Sequence, residues 1–559
     1  MHRSLALASI LPAAMLLALG VATAAASATH TAPGNAQSVP ADRATTPIHA
    51  GTSNAAASGV YYEIFVRSFD DSNGDGIGDL NGVTARLDYL KSLGVSGIWL
   101  MPINPSPSYH GYDVTDYYGI NPQYGTMQDF ERLLREAHKR GIKVIIDLVL
   151  NHSSDQHPWF KAARDPRSPY HDWYSWAQPD TDLADISATG SPAWHALAGA
   201  PAQPAAASSA SPPWAPDTYY LGIFTAEMPD LDYDTPAVRQ EMIKVGRYWL
   251  KKGVDGFRLD AAQHIYFDLR AQQNDPNILA KNLAWWSEFR QGMNAVDPHA
   301  YIVGEVTRDT ARGLAPWLKP LSAVFDFPLA TRLIDSARQE RDLKLGRTLS
   351  GIDAAYRAVS GRNGVDAPFL SNHDQDRVMS QLGGNAQHMR MAAALLLTLP
   401  GHPFIYYGEE LGMRGVKPDP DIREPMRWDR AADAPGETTW KTSTSHDGPD
   451  VSVQAEQADP HSLLNYYRML IHWRTELSPL RDGAVSAYPL ANPHVAAYRL
   501  DDAHGHLLVV HNLSGQPQRV TLRQAPAAPF STVLRQSKPG FSLAHHQLTL
   551  PAYSTAILR

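Results

Sequence analysis

The segment DGFRLDAAQH, residues 255–264, sets an arginine and an aspartate two positions apart inside an otherwise apolar run. Side chains alternate along a strand, so Phe257 and Leu259 face one way and Arg258 and Asp260 the other. A buried Arg–Asp pair of this kind serves structure as readily as chemistry. Its neighbours in the sequence shift the balance, because three more apolar runs end on polar groups: VIIDLVLNH (144–152), YIVGEV (301–306) and PFLSNHD (368–374).

Working outward, β-rich runs alternate with amphipathic stretches from Val60 onward. The strand candidates are residues 60–69, 97–103, 143–151, 256–261, 301–306, 323–329, 367–372 and 403–407, and helical patterns lie between them, as at 127–140, 235–252, 278–296 and 385–399. Strands each followed by a helix predict an α/β fold, a (β/α)8 TIM barrel, whose chemistry sits at the C-terminal ends of its strands. The barrel is expected over 59–477, with an insertion subdomain at 152–234 after the third strand. Short alternating runs beyond it, such as VAAYRLDD and HLLVVHNLS, predict a C-terminal antiparallel β domain over 478–559.

Composition fits that frame. The 559 residues carry 43% hydrophobic and 19% charged side chains and a formal net charge of −8, with no Lys/Arg-rich run. Nucleic acid is therefore not an expected partner. Met1-His2-Arg3, the apolar Leu5 to Val21 and the small residues that follow read as a secretory signal over 1–28, and 29–58 as an Ala/Thr/Ser/Pro-rich disordered leader. The expectation is a secreted, extracellular or periplasmic monomer, free of the membrane once the signal is cleaved. With no cysteine, disulfides and thiolate metal sites are excluded, which leaves oxygen-ligated ions.

Carboxylates, histidines and an arginine at the strand ends suit acid/base and nucleophilic chemistry on an uncharged polar substrate, the kit of glycoside hydrolysis. Arg258 is expected to keep Asp260 ionised, and the apolar strand around Glu305 to raise its pKa. At these residues the sequence resembles the α-amylase family, glycoside hydrolase family 13: DLVLNH (147–152), GFRLDAAQH (256–264), VGEV (303–306) and FLSNHD (369–374) look like its four sequence regions. MPDLDY (228–233) and GVSGIWLMPI (94–103) resemble two more, all in family order.

That resemblance implies a retaining mechanism with Asp260 as nucleophile, Glu305 as general acid/base and Asp374 as the carboxylate that binds and distorts the sugar. It further implies that His152, Arg258 and His373 hold the reacting ring and that Tyr112 is its stacking platform. Asp113 and Arg377 match a pair that closes the pocket in exo-acting α-glucosidases of the family. Gln263 departs from the lysine that many α-amylases carry before the histidine.

A calcium ion, Ca2+, is expected in DSNGDGIGD (71–79), where Asp71, Asn73, Asp75, the Ile77 carbonyl and Asp79 fall at positions 1, 3, 5, 7 and 9. Gly82 stands where a regular EF-hand has its bidentate glutamate, and the loop resembles one in oligo-1,6-glucosidases. A second family calcium site, with Asn151 and the His264 carbonyl, is a further expectation.

Three functions compete. An α-amylase cleaving α-1,4 bonds of starch and other α-glucan chains leads, because Ala261 follows the nucleophile where oligo-1,6-glucosidases have valine, and MPDLDY lies nearer the amylase pattern. An exo-acting α-glucosidase, oligo-1,6-glucosidase or transglycosylase is the alternative on the same fold. A non-catalytic carbohydrate-binding protein would lack the carboxylates that are present here. Trp159, Trp173, Trp176 and Trp214 of the insertion are expected to pack within it rather than to stack on sugar.

Overall fold

The computed structural model describes residues 59–197, 217–362, 365–431, 433–445, 447–523 and 530–559. The expected signal and leader, and Trp214, lie outside the described residues.

Eight strands, β1 (Tyr61–Ile64), β2 (Gly97–Leu100), β3 (Lys143–Leu148), β4 (Gly256–Leu259), β5 (Tyr301–Gly304), β6 (Ala323–Phe325), β7 (Asp366–Ala367) and β8 (Phe404–Tyr406), form one parallel sheet in the order β8-β1-β2-β3-β4-β5-β6-β7. The ring closes between β7 and β8, where the N–H groups of His402 and Phe404 donate to the carbonyls of Asp366 and Pro368 at 2.8 and 2.9 Å.

Alternation sorts the side chains as the sequence pattern requires. Tyr62, Ile64, Ile98, Val144, Ile146, Phe257 and Leu259 join the apolar layer shared with the helices. Tyr61, Trp99, Ile145, Tyr301, Val303, Phe325 and Phe404 form a separate interior cluster, with Tyr61 stacked 5.0 Å from both Tyr301 and Phe404. Helix Met127–Lys139 starts at a reciprocal Thr126–Asp129 cap and buries Phe130, Leu133, Leu134 and Ala137. Helix Pro236–Lys252 opens on proline and stops at Gly253, whose φ of +105° suits glycine.

Several strands are shorter than the apolar runs that announced them. β6 ends at Phe325 because Asp326 caps helix Phe327–Arg338, its carboxylate accepting from Leu329 N–H at 2.9 Å. A short apolar run does not distinguish strand from buried helix by itself. β7 stops before Pro368, which has no N–H to donate.

After β3 the chain leaves the barrel for an insertion with a short helix, Pro158–Ala163, and a two-stranded hairpin, Trp194–Ala196 with Tyr219–Leu221. Trp176 packs on Phe160 and His171, and Trp159 on Tyr117 and Trp173, the packing role expected of them. At the C-terminus a five-stranded antiparallel sheet, with Val495–Asp502 and Gly505–Asn512 near its centre, faces a three-stranded one across Val510, Val520, Leu548, Leu550 and Leu558.

Candidate active site

Register puts Arg258 level with Asp147 on one side and Val303 on the other, so its guanidinium points into the barrel among the ends of three strands. Nη1 donates to Asp260 Oδ1 at 2.6 Å and to Asp147 Oδ1 at 3.0 Å, and Nη2 donates to Glu305 Oε2 at 2.7 Å. One cation thus holds three carboxylates that lie far apart in sequence. Ala261, in the left-handed region at φ 47°, turns its N–H onto Glu305 Oε2 at 3.1 Å. Such a conformation is strained for a residue with a side chain, and here it aims a backbone donor at a carboxylate.

A second network faces the first. His373 lies between Glu63 Oε1, 2.5 Å from Nδ1, and Asp374 Oδ2, 3.0 Å from Nε2. The Tyr112 ring stacks on that imidazole at 5.5 Å, with its hydroxyl 2.6 Å from Nε2 and donating to Asp147 Oδ2 at 3.1 Å. Arg423, from the loop after β8, donates to Asp374 Oδ1 at 2.9 Å and to Asp419 Oδ2 at 3.0 Å.

Burial and charge give these groups different proton affinities. Burial raises Glu305 above the ordinary carboxyl range, opposed by Arg258, in line with the expectation for an acid in an apolar strand. Burial also raises Asp260, with Asp374 adding to it, and Arg258 only partly offsets the two, whereas the sequence led us to expect the arginine to dominate. Asp147 is pushed up to about 7 by burial. Asp374 is the opposite case: burial alone would raise it, but His373, Arg423 and Arg258 hold it well below the usual range. His373 overcomes its own burial through Asp374 and Glu63 and rises to about 9, so it is a cation at neutral pH. Burial lowers His152 to about 4, leaving it neutral.

These groups share the wall of one cavity of about 380 Å³, which Tyr112, His152, Asp260, Glu305, Asp374 and Arg423 line together. Its size suits one or two sugar rings, and its polar groups come from the segments that follow six strands, β2, β3, β4, β5, β7 and β8. A sequence model of the α-amylase catalytic domain matches residues 63–483, and one of the α-amylase SusG C-terminal domain matches residues 495–557. The chain belongs to the α-amylase family.

Its relatives there span more than one activity. Alpha-amylase 3 of Dictyoglomus thermophilum is 41% identical over 81% of this chain and 84% of its own length. A 4-alpha-glucanotransferase of Thermotoga maritima is 32% identical over 84% of this chain and 99% of its own. The crystal structure of an α-amylase from H. orenii superposes with a TM-score of 0.78 at 43% identity, covering 89% of this chain and 99% of that one. The protein is accordingly an α-amylase-type enzyme of the family's hydrolases and transferases.

Within this α-amylase-family site, Tyr112, His152, Arg258, Asp260, Glu305, His373 and Asp374 come together as the sequence motifs placed them. Asp113 and Arg377 do not form the pair expected of them. Asp113 accepts from Ser106 Oγ at 2.6 Å and from Ser108, while Arg377 donates to the Tyr407 carbonyl at 2.7 Å and lies over the Tyr406 and Tyr407 rings. Both are buried away from the cavity wall. The arginine that does reach the cavity is Arg423, in a loop with no periodicity to mark it. Glu63 was also missed, yet YYEIF carries the same signal as FRLD, a charge on the inward side of an apolar strand.

In the 71–79 loop, Asp71 Oδ1 accepts from Gly74 N–H at 2.7 Å, Asn73 Oδ1 from Asp75 N–H at 2.9 Å, Asp75 Oδ1 from Ile77 N–H at 2.8 Å, and Asp79 Oδ1 from Gly82 N–H at 2.8 Å. The candidate ligand atoms for an ion here, those side-chain oxygens and the Ile77 carbonyl, are all oxygen, as a hard cation requires. Among the described residues, however, no three His, Asp or Glu side chains are gathered closely enough to hold a metal ion. Asn151 donates from Nδ2 to Asp230 Oδ1 at 2.8 Å, which identifies an aspartate of MPDLDY as its partner. Burial and the nearby Asp268 raise Asp230 well above the usual range.

Proposed function

We propose that the protein is a secreted retaining glycosidase that cleaves α-1,4-glucosidic bonds of starch and maltooligosaccharides. The observation that carries this reading is the single guanidinium, Arg258, that binds Asp260 and Glu305 at one cavity while Asp374 is held ionised beside them. In the first step Asp260 attacks the anomeric carbon, the glycosidic C–O bond breaks, and Glu305 gives its proton to the departing oxygen. In the second, Glu305 takes a proton from water, which attacks the same carbon and releases Asp260. Asp374 binds hydroxyls of the reacting ring, with His373 behind it holding its charge, and Tyr112 offers its face to that ring.

Calcium at Asp71, Asn73, Asp75, the Ile77 carbonyl and Asp79 belongs to the same reading, as a structural ion that supplies no chemistry. Asn151, Asp230 and the His264 carbonyl are the residues of a second site. The N-terminal charge, apolar run and small residues support export.

A second reading, exo-attack or glucosyl transfer, is favoured by Arg423, which bridges Asp374 and Asp419 and so walls one side of the cavity with charge. A time course of products from soluble starch, pullulan and maltotriose separates the two. An early fall in iodine staining with mixed short maltooligosaccharides supports the α-amylase. Glucose alone, or products longer than the substrate, moves the assignment to α-glucosidase or transferase.

A further inference from the structure

Gln263 lines the cavity and is almost fully buried, yet its amide is occupied by protein. Its Oε1 accepts from Thr307 N–H at 3.2 Å and from the Arg308 guanidinium. Its Nε2 lies 3.0 Å from His264 Nε2. The geometry fixes the sense of that bond: His264 Nδ1 is 3.0 Å from the Phe267 carbonyl and donates there, and Oε1 of the amide is already committed to accepting from Thr307 and Arg308. Nε2 is then the acceptor, and Gln263 donates to it. Both ends of the amide fit the same orientation.

The two loops joined in this way are the ones that follow Asp260 and Glu305. Gln263 is three residues past the first carboxylate, and Thr307 two past the second. We infer that Gln263 is a positioning residue, holding the Glu305 loop against the nucleophile loop so that the acid reaches the departing sugar oxygen. A lysine here, as in many α-amylases, has no acceptor and would leave Thr307 N–H and Arg308 without this partner. The brace is thus a device of this chain rather than a contact to substrate.

The inference rests on Glu305 being the proton donor, and the test keeps the two claims apart. When maltotriose is cleaved, the electron pair of the broken C–O bond stays on a sugar oxygen that needs a proton. With 2,4-dinitrophenyl α-maltoside it stays on a phenolate stable without one. The readout is kcat/KM, which reports bond cleavage, for both substrates. Gln263→Leu should lose about 10²-fold on maltotriose, the cost typical of a misplaced catalytic group, and less than about tenfold on the aryl maltoside. Gln263→Glu keeps an acceptor for Thr307 and Arg308 and should recover most of the loss.

Equal losses on the two substrates, or none on either, would overturn the brace. If Gln263→Leu does not fold, as read by circular dichroism, Arg308→Met serves in its place and should show the same split in smaller measure; its absence there is equally decisive. The underlying assignment fails separately, if Glu305→Gln spares maltotriose cleavage.

Discussion

His373 Nδ1 stands 2.5 Å from Glu63 Oε1 at the centre of the barrel, and the fully buried imidazole meets Asp374 on its other side. A charged histidine between two carboxylates explains how Asp374 stays ionised in a site that raises Asp260 and Glu305. The neighbours of each carboxylate thus set the direction of its shift: two cations and a charged histidine draw Asp374 down, while burial outweighs Arg258 at Asp260 and Glu305.

The first prediction concerns that pair. Removing one partner of a buried, hydrogen-bonded charge pair costs about 3–5 kcal/mol, so Glu63→Gln should lower the melting temperature by several degrees at pH 7. The sign follows from the raised pKa of His373: its stabilisation is complete below the unfolded histidine value of about 6.5 and is lost as pH rises through about 9. The gap between Glu63→Gln and wild type should therefore narrow above that pH. Melting curves from pH 6 to 10 test this, and a gap that stays constant would show that Glu63 acts through packing alone.

The second prediction concerns the three carboxylates of the cavity. Asp260→Asn and Glu305→Gln should each lower kcat by several orders of magnitude with the fold retained, since each acts on the transition state; acid/base assistance alone contributes about 10²–10⁴-fold. Asp374→Asn should do nearly as much, because an amide in place of the anion also removes a partner of His373 and Arg423. A folded Asp260→Asn protein with more than about a tenth of the wild-type rate would exclude it as nucleophile.

Much of this site is legible in the sequence because a barrel strand writes its inward face at every second position. Arg258, Asp260 and Glu305 stand out as charges in apolar runs, and the register sets Arg258 level with Asp147 and with Val303, two residues before Glu305. Glu63 carried that signal unread. Arg423 carried none, since its place at the cavity depends on how the loop after β8 returns across the mouth, and no local periodicity encodes that. Arg377 shows the converse error: its motif position pointed to the pocket, but stacking on Tyr406 and Tyr407 and a bond to the Tyr407 carbonyl turn it inward.

The third prediction is a pH profile. Glu305 must be protonated to act as the acid, and burial raises its pKa above the ordinary carboxyl value of about 4.3. The alkaline limb of kcat/KM on maltotriose should therefore lie above that value, with activity lost as pH climbs through it. Exchanging Arg258 for a neutral residue would raise Glu305 further, because Arg258 opposes the shift, although the exchange also costs stability. An alkaline limb at the ordinary carboxyl value would mean that Glu305 is not the donor.

The fourth prediction concerns calcium in the 71–79 loop. Asp70, Asp71 and Asp79 are all buried, and Asp70 is pushed up to about 6 by burial, against the pull of Arg86 and with smaller repulsion from Asp79 and Asp71. A divalent cation that drew the loop's oxygens inward would offset the repulsion among these carboxylates, and an ion bound only by the folded state stabilises it by about 4 kcal/mol at a thousandfold excess over Kd. Chelation should lower the melting temperature, and added calcium should restore it. Because no catalytic candidate lies in the loop, the initial rate well below the melting temperature should not change on chelation. Asp75→Ala, which removes one oxygen ligand and leaves the capping bond from Gly82 N–H to the Asp79 carboxylate in place, should shrink the calcium-dependent shift. Metal analysis of the purified protein gives the independent check: no bound calcium, together with no thermal shift on adding it, would leave this loop a turn closed by its own backbone bonds.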